Sequence, residues 1–135
     1  MNVEFDHIAI AVANLEEGLR FYKQLLGMIV THQETVEAER VNVAMLPLGV
    51  GSNSPSIELL EPLDRDSTVA TFIEKRGPGL HHIALRVDDL AAAIERLKVE
   101  GARVLDEPRS GAGGHVYVFV HPASTGGVLL ELIQK

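Results

Sequence analysis

The chain has 135 residues, is 46% hydrophobic, carries a formal net charge of −7 and contains no cysteine. That length and apolar content suit one compact domain or two half-size modules sharing a core, and no apolar run approaches membrane-spanning length. Without cysteine a disulfide framework and a thiolate metal site are excluded, the acidic balance argues against nucleic acid, and a start lacking a basic n-region points to a cytoplasmic protein.

Taken in chain order, FDHIAIAV has the branched, short pattern of a strand, and the following segment has helical spacing. Asn14 with Glu17 forms a capping box for a helix over 15–26, whose Leu15, Leu19, Tyr22 and Leu26 are read as core before the stop at Gly27. Three apolar strands are expected at 28–33, 40–48 and 56–61. Residues 62–79 form a linker with a short helix that begins at Ser67 and ends before Gly77-Pro78-Gly79. LHHIALRV is again a strand. It leads, through Asp88 and Asp89, into a helix over 89–100 with Leu90, Ile94 and Leu97 inside and Gly101 as its stop. Strands at 102–105, 115–121 and 128–134 complete the chain. The loop RSGAGGH (109–115) has backbone freedom enough to approach a ligand closely, although a flexible turn explains it equally well.

This element order repeats because the sequence repeats. DHIAIAVANL (6–15) aligns without a gap on HHIALRVDDL (81–90), placing His7 on His82 at an offset of 75. VNVAMLP (41–47) falls on VYVFVHP (116–122) at the same offset, and SIELL (56–60) falls on LLELI (129–133) at 73, placing Glu58 on Glu131. The expected fold is therefore α+β, with a βαβββ module at 1–61 and another at 80–135. Their sheets would curl into a partly open barrel.

The repeat gives weight to four residues that are weak evidence singly. Glu58 and Glu131 are flanked by apolar residues, where an uncompensated carboxylate would cost several kcal/mol. A divalent cation compensates both if His7, Glu58, His82 and Glu131 converge, since neutral imidazole and carboxylate are ligands that Zn, Co, Ni, Mn or Fe accept. His7, Ala9 and Ala11 share one strand face, as do His82, Ala84 and Arg86, so small side chains leave room for a substrate beside the histidines. His81 points to the opposite face from His82. His32, His115 and His121 have no histidine partner in the repeat, and His121-Pro122 reads as a turn. Arg86 is either a clamp for a substrate carboxylate or a counter-charge to one of the glutamates.

With DHIAIAV, LHHIALRVDDL and LLEL in hand, the chain resembles the vicinal oxygen chelate superfamily over essentially its whole length. IELLEPLDRDSTVATFIEKRGPGLHHIAL and EPRSGAGGHVYVFVHPASTGGVLLEL are most similar to the methylmalonyl-CoA epimerases of that superfamily. The resemblance implies interconversion of the (2R) and (2S) forms of methylmalonyl-CoA, one divalent metal ion (Co, Zn, Ni or Mn), an acyl-CoA substrate and a homodimer. It makes Glu131 and Glu58 the proton-transferring carboxylates. Some epimerases carry a further glutamate on the second strand of the first module. The closest position here is Val43, and its neighbour Asn42 cannot act as a base, so either Glu58 serves as both ligand and base or a metal-bound water takes one face. Lys75, Arg76, Arg86 and Arg109 are candidate coenzyme A contacts. The alternative activity is a lactoylglutathione lyase, which would use the same four ligands on a hemithioacetal. A drug-sequestering binding protein commonly lacks the ligands, and a ring-cleaving dioxygenase usually rests on two histidines and a single carboxylate.

Overall fold

Short runs of branched and small residues become strands, and the capped leucine-rich segments become helices, in a computed structural model that describes residues 1–135. The elements are β1 (Val3–Ala11), α1 (Leu15–Leu19), β2 (His32–Val36), β3 (Val41–Pro47), β4 (Ser56–Pro62), α2 (Thr68–Arg76), β5 (Gly79–Val87), α3 (Leu90–Val99), β6 (Val104–Ser110), β7 (Val116–Val120) and β8 (Leu130–Gln134). The order is βαβββ twice, with α2 between the copies, so the fold is α+β as the repeat implies.

Two compact units result, and their boundaries fall inside strands. One comprises His7–His81; the other joins Met1–Asp6 to His82–Lys135. In the first, the strand order is β2-β3-β4-β1, with β1 parallel to β4 and the remaining pairs antiparallel. In the second it is β5-β8-β7-β6, with β5 parallel to β8.

Each unit covers one sheet face with its own helix. In the first, Leu15 packs with Ala44, Leu46 and Leu59, joined by Ile10, Leu19 and Tyr22. In the second, Leu90 and Ala93 pack with Val87, Val118, Val120 and Leu132. The helix starts are held in matching ways, satisfying amide groups that a helix leaves over at its N-terminus. Asn14 Oδ1 accepts from the Glu17 amide at 2.9 Å, and Asp89 Oδ1 accepts from the Ala92 amide at 3.0 Å. The end of the last strand supplies a second cap: Glu61 Oε2 accepts from the Leu15 amide at 2.8 Å, and Gln134 Oε1 from the Leu90 amide at 2.7 Å. Ser67 caps α2, its Oγ accepting from the Val69 amide at 3.2 Å, and Gly77 with φ 77° ends that helix.

Several elements depart from expectation. The helix over 15–26 is α-helical only to Leu19 and continues as a π-helical turn over Arg20–Leu25. The widened turn, closed by the Leu26 amide on the Phe21 carbonyl and the Met28 amide on the Tyr22 carbonyl, leaves Leu19 and Tyr22 packed inward. Leu26, read as core, is 59% exposed. The strand expected at 28–33 forms at 32–36 instead, because Met28 and Val30 pack against the core cluster before Thr31 first bonds to the Met45 carbonyl. The strand expected at 102–105 becomes β6 over 104–110, with an irregularity between Leu105 and Arg109 where Asp106 adopts φ 57°. Arg109 and Ser110 are therefore strand residues, and the glycine loop begins at Gly111.

The pairing register also revises the repeat. Met45 lies opposite Glu58 and Phe119 opposite Glu131, an offset of 74 where gapless alignment put Ala44 beneath Phe119. Ala44 faces the helix. Sequence similarity alone could not detect the slip, because VNVAMLP and VYVFVHP are apolar at nearly every position, and only strict alternation would distinguish one register from the next.

Beside β3, the short 3-10 turn Glu37–Glu39 ends at Arg40, which has φ 53°. The Arg40 Nε donates to Asp64 Oδ1 at 3.0 Å, and this hydrogen bonding holds the exposed Asp64 carboxyl below its ordinary value of 3.8.

Candidate functional site

Strand alternation sends the helix-facing residues one way and the histidines and glutamates the other. In the first unit Ile57 and Leu59 of β4 face α1, so Glu58 projects from the opposite face. Parallel pairing sets Ala9 of β1 opposite Glu58, with Met45 of β3 on its other side. His7 is one inward position before Ala9 and is 3% exposed, while Glu58 is 6% exposed. Their Nε2 and Oε1 atoms are 3.6 Å apart.

The second unit repeats this construction. Leu130 and Leu132 face α3, which sends Glu131 to the other side, where Ala84 of β5 and Phe119 of β7 lie opposite it. His82 and Glu131 are buried, and His82 Nε2 is 3.4 Å from Glu131 Oε1. The His82 ring stands edge-to-face against Phe119, with centroids 5.1 Å apart and planes at 85°, and Tyr117 packs in turn on Phe119 at 5.6 Å and 79°.

These residues suit a metal ion on chemical grounds. Imidazole and carboxylate together make a borderline-hard donor set, and each carboxylate occupies a buried place where charge is costly without compensation. The 3.6 and 3.4 Å separations exceed an ordinary N–H···O length. They match the edge of a tetrahedron of nitrogen and oxygen ligands about 2.1 Å from a cation, which is roughly 3.4 Å. The fully buried Ala9, Ala11 and Ala84 keep the strand face beside each pair low.

The remaining expected residues are placed as follows. Val43 is buried, two positions from Met45 on the Glu58-facing side of β3. Asn42 points to the other side, donating from Nδ2 to Glu61 Oε1 at 2.9 Å. His81 packs edge-on against Phe72 of α2, on the far side from His82. His32 pairs with Glu34 at the surface, and His121 caps the turn after it, its Nδ1 accepting from the Ala123 amide at 2.9 Å. Arg109 bonds Asp106 at 2.8 Å, and the Arg76 guanidinium lies over Phe72.

Arg86 meets a buried acid, Asp6, and not one of the site glutamates. Its Nε is 3.7 Å from Asp6 Oδ1, and Lys135 Nζ reaches the same oxygen at 3.0 Å. Asp6 is only 3% exposed, and the repeat sets it on His81 rather than on another acid. Phe119 was overlooked. Alternation in VYVFV put Tyr117 and Phe119 on one face, but only the register with β8 brings that face to Glu131.

Comparison with known proteins agrees with this construction. Residues 6–119 match the glyoxalase/bleomycin resistance protein/dioxygenase superfamily. The chain is 41% identical to the human mitochondrial methylmalonyl-CoA epimerase over 131 residues, covering 96% of this chain and 72% of the human one. It is also 41% identical to the ethylmalonyl-CoA/methylmalonyl-CoA epimerase of Cereibacter sphaeroides, covering 96% of each. A structure of a Streptomyces coelicolor methylmalonyl-CoA epimerase variant in complex with 2-nitronate-propionyl-CoA superposes with a TM-score of 0.92 at 39% identity, covering 97% of this chain and 96% of that one. Two βαβββ modules, each presenting a buried histidine and glutamate on the face turned from its helix, thus belong to a chain that is a member of the glyoxalase/bleomycin resistance protein/dioxygenase superfamily.

Proposed function

We propose that the protein is a methylmalonyl-CoA epimerase in which His7, Glu58, His82 and Glu131 hold one divalent cation and Glu58 and Glu131 move the proton at C2. The observation that carries this reading is the duplicated pair, a buried histidine with a carboxylate oxygen 3.4 to 3.6 Å from its Nε2, in a chain about 40% identical to epimerases of such substrates. When bound, the cation supplies Lewis-acid stabilisation of negative charge developing on the thioester and carboxylate oxygens.

The protein's own residues supply the rest. Inversion at C2 needs one group to remove the proton from one face of the carbon and another to return it to the opposite face of the planar enolate. Glu58 and Glu131 come from equivalent strands of the two modules, as two such bases require, and burial withdraws both carboxylates from bulk water. Val43 offers no titratable group, which leaves Glu58 as the base from the first module. The small side chains of Ala9 and Ala84 let Glu58 and Glu131 project past their neighbouring strands. The nitronate bound to the Streptomyces coelicolor relative supports this reading, since a nitronate is a planar anion with the charge layout of the deprotonated acyl group.

The deciding measurement is deuterium incorporation at C2 of methylmalonyl-CoA, with and without a chelator. Exchange that stops on chelation and returns with a divalent metal is expected. Absence of metal-dependent exchange, with lactoylglutathione formation in its place, would overturn the assignment.

A further inference from the structure

Phe119 is placed against both members of the His82–Glu131 pair. It lies directly opposite Glu131 in the β7–β8 register, and its ring meets the His82 imidazole edge-to-face at 5.1 Å and 85°. Tyr117, two positions earlier on the same strand face and 5% exposed, braces Phe119 from behind at 5.6 Å and 79°. In the first unit the position opposite Glu58 holds Met45, a flexible side chain with no ring. Opposite the two glutamates the repeat therefore places side chains of different stiffness, a ring in the second unit and a thioether chain in the first. A near-perpendicular aromatic neighbour restricts the rotation of the ring it contacts, whereas a thioether chain adapts to whatever orientation its neighbour takes.

We infer that Phe119 is a positioning residue: it fixes the plane of the His82 imidazole, so that Nε2 stays aimed at the place where Glu131 Oε1 also points. The inference rests on the proposed metal centre only for its consequence. The orientation itself is a property of the metal-free chain. Groups that orient a metal ligand without touching the metal are commonly worth about 10-fold or more in affinity.

The test uses the full chain in three forms: wild type, Phe119→Leu and Val118→Ala. Val118 is adjacent on β7 but faces α3, so its truncation loosens the same unit without touching His82. In metal-free protein, ring resonances and side-chain couplings of His82 should report one rotamer in wild type and in Val118→Ala, and averaging in Phe119→Leu. In competition of Zn or Co against a chromophoric chelator, Phe119→Leu should bind roughly 10-fold more weakly than wild type and Val118→Ala within about 2-fold of it. Phe119→Tyr, which keeps the ring, should restore the single rotamer. An unchanged His82 rotamer in Phe119→Leu would overturn the inference, as would equal weakening by Val118→Ala. If wild type bound no divalent metal, the metal-centre reading would fail while the rotamer measurement still decided the role of Phe119.

Discussion

Glu58 lies across from Ala9 in the parallel pairing of β4 with β1, and Ala9 has no exposed surface at all. The second module sets Glu131 across from Ala84 in the same manner. A carboxylate facing a methyl group can reach past it without crowding, a relationship that a larger residue at either alanine would abolish.

From this arrangement comes a prediction about the two bases. Glu58→Gln keeps an oxygen donor but cannot titrate, so it should retain bound metal while losing epimerisation by at least about 100-fold, the usual scale for removing a general base. Glu131→Gln should behave likewise. The sharper outcome concerns isotope exchange, because each variant keeps one base. Each should wash deuterium into one epimer of the substrate without inverting it, and the two variants should favour opposite epimers. Near-normal turnover by Glu58→Gln would exclude its role as a base.

The Asp6 carboxylate is buried between two cations, Lys135 Nζ at 3.0 Å and Arg86 Nε at 3.7 Å. Removing the anion takes from both cations the buried carboxylate they share and leaves Arg86, whose side chain is only 14% exposed, with the exposed Glu4 at 3.8 Å, so Asp6→Ala should destabilise by about 2 kcal/mol. Lys135 is 30% exposed, and Lys135→Ala should cost about 1 kcal/mol or less. Urea unfolding of the two variants checks the ranking, and a reversed order would show that Arg86 rather than Lys135 is the dispensable partner.

At the start of the glycine loop, a β-carbon on Gly111 would lie 2.7 Å from Tyr117 Cε1. Gly111→Ala should therefore displace either the loop or the ring, at a cost of about 1 to 3 kcal/mol. Pairing it with Tyr117→Leu should recover part of that loss. A double-mutant cycle measures the coupling, and additive losses would mean that the loop shifts away from the ring.

The Arg40–Asp64 pair predicts a response to acid. Asp64 titrates lower in the folded chain than in the unfolded one, because Arg40 donates hydrogen bonds to its ionised form. The folded state therefore takes up that proton later as pH falls. Stability from the pair is present above 3.8 and is lost as pH drops through the folded-state value. Thermal melts should show Asp64→Asn slightly below wild type at neutral pH, the gap closing in strong acid. Both side chains are well exposed, so added salt should narrow it too.

What the sequence discloses here is set by how local each feature is. His7, His82, Glu58 and Glu131 were legible because duplication marks each twice, and α2 was legible because Ser67 and Gly77 punctuate it. The π-helical turn was not, since Leu15, Leu19, Tyr22 and Leu26 suit an ordinary helix and nothing in their spacing marks the widening after Leu19. The one-residue slip between Met45 and Phe119 was hidden because both strands are apolar at successive positions, so neither register places a polar residue on the wrong face. Asp6 was invisible for a different reason. Its partner Lys135 is the last residue of the chain, and no periodicity links the two ends of a sequence.

The unit boundaries within β1 and β5 bear on how the duplicated halves can be handled as separate polypeptides. Residues Met1–Asp6 pack in one compact unit with His82–Lys135, so a cut in the linker at 62–79 should not release two self-sufficient proteins. The C-terminal piece would leave behind the strand that brings Glu4 and Asp6 to Arg86. Residues 79–81, which belong with the N-terminal half, would depart with the wrong fragment. A gene split at the repeat boundary should therefore yield fragments that are poor alone and complement each other when co-expressed. A permuted gene that keeps the first six codons attached to the second half would be the better way to isolate it.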